Sequence, residues 1–274
     1  MGKISKFRKQ NWKNLTFLFA AAIAWSIPSV CVGYVPPGGQ ILGFMSSNFS
    51  TFKSMVLVQT ISMAGRERES AEPEEIQVKM WLKAPGFFHC EVMSNTGNAA
   101  YNKSGVDVGL GVYGIYHLLF MSRDAHLQAD LLSHMGIDMN SVSLERHRES
   151  IVYRIGSPGE KRPVFFLEKD RFLPLEIAFC SRQHGVPSII SIRFDDYRKL
   201  ERGWYPFRVN YFRDGEPFGT ITVTSLEVNP SISTTLSPIS LDDILPEETC
   251  AGREVSPQEE RIDNIIRSLK QKYQ

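Results

Sequence analysis

Residues 187–229, PSIISIRFDDYRKLERGWYPFRVNYFRDGEPFGTITVTSLEVN, decide how this chain folds. Ile190, Ile192 and Phe194 alternate with Ser191, Arg193 and Asp195, the period of two that marks a half-buried strand. Tyr205, Phe207, Val209 and Tyr211 alternate in the same way with Pro206, Arg208 and Asn210. Asp214-Gly215 supplies a tight turn, and Ile221 and Val223 then alternate with threonines. The stretch reads as an antiparallel meander with one apolar, aromatic-rich face and one wet face.

Working back toward the N-terminus, four more strand-like runs precede it: SVSLERHRES, IVYRIGS, PVFFLEK and FLPLEIAFC. In the last, Leu175, Ile177 and Phe179 face one way and Glu176 and Ala178 the other. Before these, Tyr116 to Gly136 turns helical, with Leu118, Leu119, Leu127, Leu131, Leu132 and Met135 on one face and a capping region at Ser122 and Asp124. The Gly- and Asn-rich stretch from Asn95 to Gly114 reads as a hairpin of moderate regularity. Earlier still, Ile76, Val78, Met80 and Leu82 share a strand face, Ala84-Pro85-Gly86 turns the chain, and Phe88, Cys90 and Val92 continue inward. Met55 to Met63 is a further strand, and Ile41, Leu42, Met45, Phe49 and Phe52 lie at helical spacing. Nine to eleven strands in near-sequential order, with two helical insertions and no βαβ alternation, predict a mainly β (α+β) fold. It is one large, strongly curved antiparallel sheet whose concave apolar face the helices cover.

The chain has 274 residues, ample for a sizeable core, and a formal net charge of +1. Five basic residues, Lys3, Lys6, Arg8, Lys9 and Lys13, and no acidic ones fall within residues 1–33. The rest carries 26 basic against 30 acidic side chains, which leaves no footprint for nucleic acid. Behind the basic start, LTFLFAAAIAWSI is apolar for 13 residues, short of the ~18 needed for a spanning helix. This is the order of a secretory signal peptide, residues 1–33, with Cys31 and Gly33 at the −3 and −1 positions of the expected cleavage. A lipid-bearing Cys31 is the competing reading, opposed by Val30 where a small residue is needed; an uncleaved anchor is a third. Export leaves Cys90, Cys180 and Cys250 in an oxidising compartment, as buried thiols or with one disulfide.

Past Asn229, NPSISTTLSPISLDDILPEETCAGREVSP reads as an extended tail laid over the sheet. Residues 249–274 end the chain with a short charged helix striped by Ile262, Ile265, Ile266 and Leu269. No catalytic residue, metal set or cofactor motif emerges. The six histidines are scattered, and Asp195-Asp196 fits a strand end or bulge because neighbours on a strand point to opposite faces. Trp81 sits among lysines and belongs outside, and Arg66 to Glu75 is a solvated turn.

The helix-into-strand ILGFMSSNFSTFKSMVLVQTISM, the hairpin IQVKMWLKAPGFFHCEVM and the late meander, behind a signal peptide, resemble the LolA/LolB-like superfamily of periplasmic lipoprotein carriers. The resemblance spans residues 38–248 and implies a half-open β-barrel, residues 34–248, wrapped around helices. Its apolar groove would hold acyl chains of lipoprotein or phospholipid, cargo carried or sorted toward the outer membrane without enzymatic chemistry. The implied lining is Met45, Phe49, Leu57, Ile76, Val78, Met80, Phe88, Val92, Leu127, Leu131, Leu175, Ile177, Phe179, Ile190, Ile192, Phe207, Val209 and Ile221, with Met55 and Met93 adding adaptable side chains. The implied protein is monomeric, with an inner- or outer-membrane protein partner. The family's hairpin often carries an arginine after the proline; Pro85-Gly86-Phe87-Phe88-His89 has none, which points to a relative with different cargo. An envelope sensor or interaction module on the same fold, docking through the C-terminal helix, is the second reading. An exported hydrolase is the third.

Overall fold

The structure is a computed structural model that describes residues 34–63, 74–84, 86–96, 111–159, 162–183, 186–200 and 203–238. The leader, Cys31, most of the charged loop before β2, the tip of the expected hairpin, Cys250 and the C-terminal helix lie outside the described residues.

Helix α1 (Gly38–Phe49) begins directly after Pro37, whose carbonyl accepts from Gln40 N and Ile41 N. It buries Ile41, Leu42, Met45 and Phe49, the stripe its spacing predicts. Strands β1 (Ser54–Met63), β2 (Glu74–Lys83) and β3 (Phe87–Thr96) follow as a meander. The chain then forms helices α2 (Gly111–Met121) and α3 (Ala125–His134). Seven more strands run in sequence: β4 (Val142–His147), β5 (Ser150–Ile155), β6 (Val164–Glu168), β7 (Pro174–Gln183), β8 (Val186–Leu200), β9 (Gly203–Arg213) and β10 (Glu216–Val228). A short β11 (Ser237–Pro238) closes the described chain. The result is one antiparallel eleven-stranded sheet in the order β11-β3-β2-β1-β10-β9-β8-β7-β6-β5-β4, curved but not closed.

Two local devices set this topology. Asp214 (φ 49) and Gly215 (φ 90) make the two-residue turn between β9 and β10, with both residues in the left-handed region that matches strand twist. Asn229 (φ 55) then joins the two meanders. Its Oδ1 accepts from Lys53 N at 2.7 Å, its Nδ2 donates to Thr51 O at 3.0 Å, and its own N donates to Ser54 O. That clamp registers the end of β10 against the start of β1. Register shifts on β1–β10, β9–β10, β2–β3 and β6–β7 add local twist and help the sheet curl. Asp196 (φ 51) drops out of the β8–β9 pairing while the register on either side is unchanged. Asp195 and Asp196 keep separate partners, Asn210 and Arg198, as expected for a strand irregularity rather than a dyad.

The helical region differs from the expectation. Gly111 to Gly114 begin α2 rather than ending a hairpin, and the single helix expected between Tyr116 and Gly136 is two. Asp124 breaks it: its backbone is extended (φ −102, ψ 115) and its Oδ1 accepts from His126 N at 2.8 Å, so the cap starts a new helix. Within α3 the buried face is Gln128, Leu131 and Leu132, and Leu127, in its first turn, is half exposed at 50%.

One close approach fixes α1 against the sheet. A Cβ on Gly203, at the start of β9, would stand 2.7 Å from Asn48 O at the end of α1 and 2.5 Å from Phe52 Cζ. Gly203→Ala must therefore push α1 outward, at a cost of about 2 kcal/mol by analogy with overpacked cores. For a domain of this size that is a fall in Tm of about 6 °C, measurable by thermal unfolding monitored by circular dichroism.

Candidate functional site

The concave face of the sheet is apolar from β3 to β7. Met45, Phe49, Leu57, Ile76, Val78, Met80, Phe88, Leu131, Ile177, Phe179, Ile190, Ile192, Phe207, Val209 and Ile221 are each at most 7% exposed and belong to one contiguous cluster. The cluster also holds Leu119 and Phe120 of α2, and Leu132 of α3. The sheet's own helices therefore fill its hollow, with Phe120 at the centre, 4.7 Å from the Phe49 ring, 5.5 Å from Phe194 and 5.4 Å from Tyr205.

Three expected lining residues are not buried in the hollow. Val92 pairs with the inward Val78 and keeps the face of Phe88 and Cys90, but stands 39% exposed at the end of that row, where the β2–β3 register steps just beyond it. Met93, beside it, is exposed as well. Leu127, in the first turn of α3, stands half exposed at the edge of the helix layer. Leu175 faces outward: β6–β7 pairing steps from Phe166↔Glu176 to Leu167↔Pro174, which makes Leu175 the extra residue of a bulge and turns it onto an outer cluster.

Within the apolar hollow lies a buried polar group that the alternation does not announce. Tyr116 donates its hydroxyl to Gln59 Oε1 at 3.0 Å, Gln59 Nε2 lies 3.2 Å from Met80 Sδ, and Tyr205 Oη lies 3.3 Å from His117 Nδ1. His117 Nε2 is buried with no hydrogen-bond partner among the described residues. Burial lowers the His117 pKa to about 3, so the ring is neutral, and burial raises the phenols of Tyr116 and Tyr205. His117, one of the six scattered histidines, is thus a core residue. The available signal was Gln59, a polar side chain at an inward position of β1 between Leu57 and Ile61.

A second buried amide clasps the helices together. Gln128, fully buried in α3, donates through Nε2 to Leu119 O (3.0 Å) and Ser122 O (3.1 Å) at the end of α2. Ser46 Oγ of α1 shares its proton between Leu42 O (2.8 Å) and Gln128 Oε1 (3.2 Å). Arg123, in the bend between α2 and α3, donates to Phe52 O at 3.0 Å and ties the layer to the turn that leads from α1 into β1.

Beside that bend the helix layer and the sheet leave a depression of about 310 Å³, lined by Lys53, Lys83, Ala84, Arg123, Asp124 and Leu127. Phe87, 40% exposed, lines a neighbouring hollow with Lys83, Ile232 and Leu236. Exposed apolar side chains and three cations meet here. On the far side of β2, Trp81 is outside the hollow as expected, under Lys79 Nζ at 4.9 Å. Cys90 is a free, buried thiol, pushed up to about 11 by burial and by the neighbouring Glu91. Cys180 is disulfide-bonded, and not to Cys90.

No family model matches the sequence, and no curated protein sequence does. Solved structures with a similar path include a LolA superfamily protein from Nitrosomonas europaea, 8% identical with a TM-score of 0.47, covering 72% of this chain and 96% of that one. A putative outer membrane lipoprotein-sorting protein domain from Vibrio parahaemolyticus matches at 10% identity and TM-score 0.47, over 72% and 94%. A DUF1329 family protein from Desulfovibrio piger matches at 11% and 0.41, over 72% and 93%.

Proposed function

We propose that this chain is an exported, periplasmic acyl-binding protein that carries or sorts lipid-modified cargo, and that its helix layer is the lid of the binding groove. The observation that supports this most is a continuous apolar sheet face covered by short separate helices, with a basic, partly apolar seam at their edge. An acyl chain enters at the seam beside Leu127 and Phe87, and Lys53, Lys83 and Arg123 meet an anionic headgroup there. The tails then replace helix side chains against Val78, Met80, Ile192 and Val209.

The magnitudes permit the exchange. Uncovering the α1 stripe of Ile41, Leu42, Met45 and Phe49 costs about 6–12 kcal/mol at 1.5–3 kcal/mol per side chain, an upper estimate. A chain of about sixteen carbons regains about 12 kcal/mol at 0.8 kcal/mol per CH₂. The two nearly cancel, so the closed form is stable without cargo and still yields to it. Release needs only the reverse exchange, and no covalent step is involved.

Titration of the purified full chain with a fluorescent fatty acid tests this reading. Saturable one-to-one uptake, competed by unlabelled acid, is the expected result. A protein that is folded by circular dichroism and takes up no probe would leave the hollow as an inert core.

A further inference from the structure

Three cations at one end of the sheet have no carboxylate to neutralise them. Elsewhere Arg148, Arg154, Arg171, Arg193 and Arg198 each stand within ion-pair distance of an acid. Lys53, Lys83 and Arg123 are exposed, and among the described residues none of them pairs with one. Asp124 is the one acid lining their depression, and its Oδ1 accepts from His126 N as the cap of α3.

The backbone holds these cations on a single rim. Ala84 N donates to Lys53 O at 3.0 Å, and Lys83 pairs with Ser54 on one side and Phe87 on the other. The starts of β1 and β3 and the end of β2 therefore meet there. Lys83 lines both depressions, the one of about 310 Å³ that Leu127 shares and the one of about 260 Å³ that Phe87, Ile232 and Leu236 share. Phe87, 40% exposed, and Leu127, 50% exposed, thus flank a cation rather than fill one socket.

We propose that this rim docks the protein on an anionic lipid bilayer, with Lys53, Lys83 and Arg123 among the headgroups and Phe87 and Leu127 at the acyl boundary. Unpaired basic side chains interleaved with apolar ones are what holds a protein at such a surface. Two separate apolar contacts around a central cation suit a fluid surface better than the single anchor pocket of a protein partner. The inference rests on the acyl-binding reading for its purpose: a chain passing from leaflet to seam never crosses water. The docking itself is measured without cargo.

The test is flotation of the full chain, recovered from the periplasm, with vesicles of phosphatidylcholine made with or without phosphatidylglycerol. Flotation with the anionic vesicles, lost in high salt, is the expected result. A Lys53→Gln, Lys83→Gln protein should partition more weakly by roughly fivefold per cation, about thirtyfold together. Any retained leader would bind equally in both proteins, so the difference between them carries the test. In a Phe87→Trp protein the added emission should shift to the blue on the same vesicles. Equal flotation of wild type and the double variant, or an unshifted spectrum, overturns the docking. No flotation at all also overturns it and leaves the rim to an acidic protein surface. Vesicle binding without fatty acid uptake would remove the carrier and keep the docking, whereas uptake without vesicle binding removes the docking alone.

Discussion

Between pH 7 and pH 4 the fold should lose about 3 kcal/mol of stability through His117 alone. Its ring is buried in the hollow and its pKa is lowered to about 3, because burial disfavours the charged form. In the unfolded chain the same ring titrates near 6.5. Between those values the unfolded state binds a proton that the native state does not, so stability rises with pH across this window. It is therefore fully present above pH 6.5, falls as pH drops below it, and levels off below about 3. Urea unfolding at pH 7 and pH 4, on the wild type and on His117→Phe, isolates this contribution from that of the carboxylates. The variant should lose about 3 kcal/mol less than the wild type on acidification. Equal losses in the two proteins would mean that His117 is reached by solvent or is already charged.

Gln128→Met should tighten uptake of a fluorescent fatty acid by about tenfold while destabilising the closed fold. Methionine fills nearly the same volume but leaves Leu119 O and Ser122 O without the amide and releases Ser46 of α1. Losing buried hydrogen bonds of this kind costs about 1–3 kcal/mol. If the contacts exist only while the lid is shut, each 1.4 kcal/mol lost shifts the open population tenfold, and apparent affinity follows that population. An inert core predicts the opposite pairing of results: lower stability in urea and no gain in uptake. The variant thus separates a groove from a core, which the apolar alternation alone does not do.

That limit explains what was legible in the sequence. The strands were, because a sheet with one dry face writes period two into residues such as Ile76, Val78, Met80 and Leu82, and all four are buried as read. The turn at Asp214-Gly215 was legible for its chemistry. Positions fail where a local feature intervenes: a bulge at Leu175, the end of the inward row at Val92, the first turn of α3 at Leu127. The polar pins were hidden for another reason. Gln128, His117 and Tyr116 sit in helices whose polar residues read as solvent-facing, and only the third dimension places them opposite Leu119, Tyr205 and Gln59. The outer cluster was hidden because Val164-Phe165-Phe166-Leu167 is buried on both faces, and a continuous apolar run does not say what covers its second side.

Native mass spectrometry of the full chain, recovered from the periplasm without detergent and joined to lipid extraction, tests the acyl-carrier account most directly. The account predicts a bound mass that resolves on extraction into phospholipid or an acylated peptide. A bare polypeptide mass, with no uptake of the fluorescent fatty acid by either the wild type or Gln128→Met, would contradict it.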